Sequence, residues 1–292
     1  MMMSKAPRVP AKTSKSRIAT VQAVMMAALA LGLAALAGCA HRPAAPVTKS
    51  TYEARRQIAR ELVAQGEWQP AFSYIEQLRR EKGDDAETLV LRATIYRERS
   101  LLDEAEGDLR DAIRLAPALA SARAGLGIIA DMRRRPQEAE ENLRMAVKLE
   151  PSNAAFLNNL GFSLFLHGKI KDAIAHYEQA ARLAPTVRRT RTNLGFAYAA
   201  RGDLHRAARE FEMGGTPVEA KINLGFAYER RGDMANAYTL YEEAHHMDPR
   251  SIRARANLTH AAEVTGHPLS LAAEEPAPPV VPSPPPTEEF AP

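Results

Sequence analysis

The run Asn-Leu-Gly-Phe occurs three times in this chain of 292 residues, at 159–162, 193–196 and 223–226. Gly127, Gly161 and Gly195 stand 34 residues apart. A fixed period of that length means that each period is one supersecondary unit, unable to bury its apolar face alone and stacked on its copies. Stepping by 34 aligns three further columns. Small residues fall at Ala59, Ala93, Gly127, Gly161, Gly195 and Gly225. Twelve positions later comes Ala71, Ala105, Ala139, Ala173, Ala207 and Ala237, and four beyond that Ile75, Leu109, Leu143, Tyr177, Phe211 and Tyr241. Pro117, Pro151, Pro185 and Pro249 close their units.

The order Leu-Gly, aromatic, Ala, aromatic, Pro resembles the tetratricopeptide repeat (TPR). The units are 52–85, 86–119, 120–153, 154–187, 188–217 and 218–251. The resemblance implies an all-α fold: a right-handed superhelix (α-solenoid) of about six repeats plus a capping helix. Each unit is then two antiparallel helices joined near Gly66, Ser100, Arg134, Gly168, Gly202 and Gly232. The small residue admits a close helix crossing, the large one fills the gap to the next helix, and the closing Pro starts a fresh helix. Residues 252–266 keep the phase with Asn257-Leu258 and turn polar elsewhere, as a capping helix would. Two units depart from the pattern. Unit one has no Gly in its first helix and ends at Gly83. Unit five has 30 residues, because Gly195 to Gly225 is 30, and Gly214-Gly215 are expected to end its second helix about a turn early. A loop deletion and a local bend in the superhelix both fit that loss.

The single cysteine, Cys39, excludes a disulfide framework and any multi-cysteine zinc site. It follows a basic segment (1–17) and an uncharged apolar run (18–36), the layout of a secretory leader. Leu36-Ala37-Gly38-Cys39 resembles a bacterial lipobox, which implies cleavage before Cys39 and acylation of its thiol. A retained membrane helix and an unmodified thiol are the alternatives. Ala40 leans toward the outer membrane, with the inner membrane as the other address. The leader also disposes of a nucleic-acid reading. The pI is 9.2, but residues 1–38 hold five basic side chains and no acid, so 39–292 carry −1 of the total of +4. A basic footprint, the main requirement for phosphate binding, is absent from the mature chain. The organisation expected is therefore a lipoprotein signal peptide (1–38), an acylated tether (39–51), the TPR domain (52–266) and a disordered Pro-rich tail (267–292) with nine prolines.

No catalytic motif stands out, and the repeats leave no room for a catalytic domain, which counts against an enzyme with a TPR front end. No cofactor, metal or small-molecule substrate is expected. His245 and His246 point about 100° apart on a helix and chelate poorly. Arg133-Arg134-Arg135 and Arg188-Arg189 read as solvated surface or as contacts for an acidic partner. In TPR proteins the first helices line the concave groove. Asn159, Asn193, Asn223 and Asn257 share one position there. Phe162, Phe196 and Phe226 share another, three residues on and on the same face. The asparagines suit hydrogen bonding to a bound peptide backbone and the phenylalanines its apolar side chains. Equally, Asn is common at that position of TPR units and Phe packs between neighbouring first helices. The carboxylate clamp of chaperone-binding TPRs is not expected, because its positions carry Phe or Thr192.

A lipobox, a TPR array and units reading LNNLGFSLFLHGKIKDAIAHYEQAARLAP resemble the TadD-type TPR lipoproteins of tight-adherence (Flp) pilus systems, most specifically over 154–251. The resemblance implies a non-enzymatic scaffold, lipid-anchored on the periplasmic face of the outer membrane, that binds protein partners during assembly of a Flp pilus or its secretin. An adaptor for cell-wall hydrolases or outer-membrane protein assembly is the alternative.

Overall fold

The computed structural model describes residues 49–268. The leader, Cys39, the tether up to residue 48 and the tail from residue 269 lie outside the described residues. The described part is helical, and its helices pair off by the repeat. Unit one is α1 (Lys49–Gln65) and α2 (Trp68–Lys82); unit two is α3 (Ala86–Glu98) and α4 (Leu102–Leu115). Unit three is α5 (Ala120–Met132) and α6 (Pro136–Leu149); unit four is α7 (Ala154–Leu166) and α8 (Ile170–Leu183). Unit five is α9 (Arg188–Arg201) and α10 (Leu204–Gly214); unit six is α11 (Pro217–Glu229) and α12 (Met234–Met247). A final helix, α13 (Ile252–Thr265), covers the end of the stack. Each helix packs only within its unit or on the next unit, as a solenoid requires. First helices touch the first helices of the next unit, whereas second helices do not touch one another, so the first helices form the inner face.

The columns of the sequence are the joints of this stack. Within each unit the large residue of the second helix lies on the small residue of the first. A Cβ on Gly127 would come within 2.5 Å of Leu143, and one on Gly161 within 2.9 Å of Tyr177. The large residue also reaches the next unit: a Cβ on Gly125 would stand 2.8 Å from Leu109. Tyr177, Phe211 and Tyr241 are fully buried, and each removes enough apolar surface from water to stabilise the fold by about 2–3 kcal/mol. The turns inside the units occupy the left-handed region at Gly66, Ser100, Arg134, Gly168, Gly202 and Gly232. Ser100 and Arg134 hold φ of 60° and 56° without being glycine, a conformation disfavoured by roughly 1 kcal/mol or more. Pro117, Pro151, Pro185 and Pro249 each sit one residue past the C-cap of a second helix. They close a unit without opening the next: the following helix starts at Ala120, Ala154, Arg188 or Ile252.

The short fifth unit is a built junction. Its second helix, α10, has 11 residues, where α8 and α12 have 14. Only Gly215 and Thr216 connect it to α11, whose N-terminus carries a capping box between Thr216 and Glu219 with Pro217 in the first turn. Gly214 is buried against α9, where a Cβ would stand 2.8 Å from Arg191 Cβ and 3.0 Å from the Thr192 nitrogen. Arg188 Nε donates to the Gly214 carbonyl at 3.1 Å, and its guanidinium also reaches Glu219. The capping bonds from the Thr216 backbone, with Arg188 nearby, hold the Glu219 carboxyl below its usual range.

Candidate protein-binding groove

The inner face gathers the residues singled out in the sequence, but unequally. Asn193, Phe196 and Phe226 line one concavity of about 460 Å³ between units four and six. Its floor is completed by Phe165, Tyr177, Ala199 and Ala227, and its rim by Arg230 and Arg231. Phe196 is half-buried between Phe211, with ring centroids 4.8 Å apart, and Phe226, at 6.0 Å and edge-on. Phe226 is 40% exposed and Phe162 is 45% exposed. Both readings of the phenylalanines thus have a place: Phe196 ties neighbouring units together, while Phe162 and Phe226 stand in water, where an apolar ring gains by being covered. Phe162 lies beyond the concavity, as do Asn159, Asn223 and Asn257.

The asparagines are engaged within the scaffold to different degrees. Asn193 Nδ2 donates to Asn158 Oδ1 of the preceding unit at 3.1 Å. Asn158 is buried and in turn approaches Asn159 Oδ1 at 3.5 Å. Asn223 is buried and accepts from Arg253 Nη2 at 2.9 Å. Asn159, Asn193 and Asn257 remain partly exposed. Asn158 lies outside the recurring asparagine column, though its doubling as Asn158-Asn159 is visible in the sequence. Phe165 also lies outside the recurring phenylalanine column, three residues after Phe162 on the same helical face. Arg230 and Arg231, next to the turn at Gly232, make no ion pair among the described residues.

Members of the other arginine clusters tie neighbouring units together. Arg133 and Arg135 converge on the buried Glu106 of the preceding unit, Arg133 also pairs with Asp103 and Arg135 with Glu138. Within unit two, Arg92 forms a bidentate pair with Asp108, Nε and Nη2 each at 2.6 Å. Asp131 accepts from Ser163 at 3.0 Å and stands 2.8 Å from His167 Nε2. It is the carboxylate that sits between the other two, so these three groups lock unit three to unit four and do not form a serine–histidine relay. His245 is buried and His246 exposed, with ring centroids 6.4 Å apart. Among the described residues no group of His, Cys, Asp or Glu side chains is arranged to hold a metal ion, and no helix is long and apolar enough to cross a membrane.

Comparison with known proteins agrees with this geometry. Residues 121–188 match the tetratricopeptide repeat family. No curated protein matches the sequence. Among solved structures, PilW, described as a widely conserved type IV pilus biogenesis factor, superposes with a TM-score of 0.61 at 18% identity, covering 72% of this chain and 100% of that one. The Pseudomonas aeruginosa protein pilF gives a TM-score of 0.56 at 15% identity, over 72% of this chain and 97% of that one. YrrB, described as a TPR protein with an unusual peptide-binding site, gives 0.50 at 21% identity, over 65% of this chain and 97% of that one. The described residues therefore fold as a TPR α-solenoid of six helix pairs and a capping helix.

Proposed function

We propose that this protein is a non-enzymatic scaffold of the TadD type, a lipoprotein whose TPR groove holds protein partners during assembly of a Flp-type pilus or its secretin. The observation that carries the reading is the aromatic concavity at units four to six. It keeps Phe226 in water beside Phe196 and Asn193, an arrangement suited to covering by a protein segment. It lies within residues 154–251, where the resemblance to the TadD-type lipoproteins is most specific. PilW, a structural neighbour with matching fold, is described as a type IV pilus biogenesis factor, and the chain spans the whole of it. Acylation at Cys39 would hold the scaffold on the outer membrane, facing the periplasm, next to a secretin.

The test is deletion with complementation. Loss of the gene is expected to remove both secretin multimers and surface pili, and the intact gene to restore both. Unchanged multimers and pili in the deletion strain would end this reading.

A further inference from the structure

We propose that the segment Glu288-Glu289-Phe290 of this chain folds back into the concavity of its own units four to six, with Phe290 against Phe196 and Phe226 and the two glutamates against Arg230 and Arg231. A protein partner then has to displace it. The inference rests on the reading of the groove as the protein-binding surface.

The concavity has an apolar floor and a cationic rim. Phe226 is 40% exposed, and Arg230 and Arg231 have no carboxylate partner among the described residues. The acids close by are already engaged. Glu229 accepts from the Tyr241 hydroxyl at 2.7 Å, and Asp203 caps α10 and faces Arg201 and Arg206. The occupant that fits is an acidic segment carrying one aromatic ring.

The chain supplies that chemistry from a suitable starting point. After α13 it turns at Gly266, the counterpart of the turn glycines Gly202 and Gly232. His267 then stacks on Tyr238 with ring centroids 4.7 Å apart, and the Pro268 carbonyl accepts from the Tyr238 hydroxyl at 3.1 Å. Residue 268 is thereby fixed to unit six at the edge where its helices turn, the edge on which Arg230 and Arg231 stand. Residues 269–292 contain four glutamates, no lysine or arginine, and a single aromatic, Phe290. Twenty residues from Pro268 to Glu288 span about 60 Å at about 3.1 Å each in a polyproline conformation. Neighbouring helices pack about 10 Å apart, so that length is ample for a return across two units. Tethering raises the segment to an effective concentration of about millimolar.

The test uses the full chain with a photo-crosslinking benzoylphenylalanine in place of Phe290. Irradiation is expected to give a cross-link at monomer mass that maps to α9 or α11. A labelled peptide of residues 280–292 is the second measurement. It is expected to bind the full chain carrying E288Q, E289Q and F290A at least tenfold more tightly than the intact chain, and to lose at least tenfold when F226A is added. Cross-links that avoid the groove, cross-links at dimer mass, or equal peptide affinities for the two chains would overturn the proposal. A chain that closes its tail but supports no pili contradicts only the assembly role. A chain that supports pili but shows no groove cross-link contradicts only the tail.

Discussion

Phe211 lies across Gly195 so closely that a Cβ on the glycine would stand 2.5 Å from the phenylalanine Cε1. The ring is fully buried and has Phe196 edge-on to it. Glycine inside a helix is disfavoured by about 1 kcal/mol relative to alanine. Gly195→Ala is nevertheless expected to destabilise the fold by about 1–3 kcal/mol, because the methyl group must push a packed ring aside. Urea unfolding of the variant measures this. An unchanged or raised midpoint would mean that the close approach does not limit the joint.

That joint was legible in the sequence because both partners recur at fixed positions, and the same holds for the turns from Gly66 to Gly232. What the period does not encode is which polar groups meet across units. Arg133 finds Asp103, 30 residues back, and Asn193 finds Asn158, 35 residues back. Such pairs depend on the stacking register and on side-chain reach, so Arg133 and Arg135, in a row that reads as solvated surface or as contacts for an acidic partner, instead bind the preceding unit. The phenylalanine column shows a second limit. Three residues at one position have three environments, because each ring's burial is set by the neighbouring second helix and by the rings beside it. Phe165, Arg230 and Arg231 complete the concavity from positions outside the recurring motif.

Phe226 is exposed, so its removal bears on binding more than on folding. Phe226→Ala is expected to change the thermal midpoint by only a few degrees, in keeping with about 1 kcal/mol at a half-covered ring. It is expected to lower capture of secretin or pilus-assembly partners at least tenfold in pull-downs. A variant that unfolds, or that binds like the parent, would contradict the assignment of this ring to the binding face.

Glu106 lies 7% exposed under three arginines, with Arg135 at 2.8 Å and Arg133 at 3.4 Å. The hydrogen bond from Arg135, aided by the charges of Arg110, Arg135 and Arg133, holds its carboxyl below the usual 4.5 although burial opposes this. The folded-state value is depressed, so the stabilisation is present above the unfolded value and fades as pH falls through the folded one. Glu106→Gln is expected to destabilise by about 1–3 kcal/mol at neutral pH. The gap between the two proteins should close below about pH 4.5, in denaturant titrations run from pH 7 to 3. A gap that stays constant with pH would assign the effect to packing.

His245 is 2% exposed, and neither ring nitrogen has a hydrogen-bond partner among the described residues. Burying an unsatisfied polar group costs roughly 1–3 kcal/mol, and α12 gains nothing visible in return. His245→Leu is accordingly expected to raise the thermal midpoint by several degrees, measured by calorimetry. A lowered midpoint would show that the imidazole has a partner in solution.

On the proposed reading, acylation at Cys39 sets where the groove operates. Two or three acyl chains, each buried CH₂ adding about 0.8 kcal/mol, hold a protein on a bilayer almost permanently, whereas one chain binds only marginally. Serine in place of the cysteine has no thiol to form the thioether. Cys39→Ser is thus expected to leave the leader uncleaved or to release the protein from the membrane, and in either case to abolish pilus assembly even though the repeats fold normally. Intact mass and carbonate extraction distinguish these outcomes. A Cys39→Ser chain that is cleaved before residue 39 and still resists extraction would mean that the lipid is not the anchor, and the groove would then have to be placed at the membrane by a protein partner.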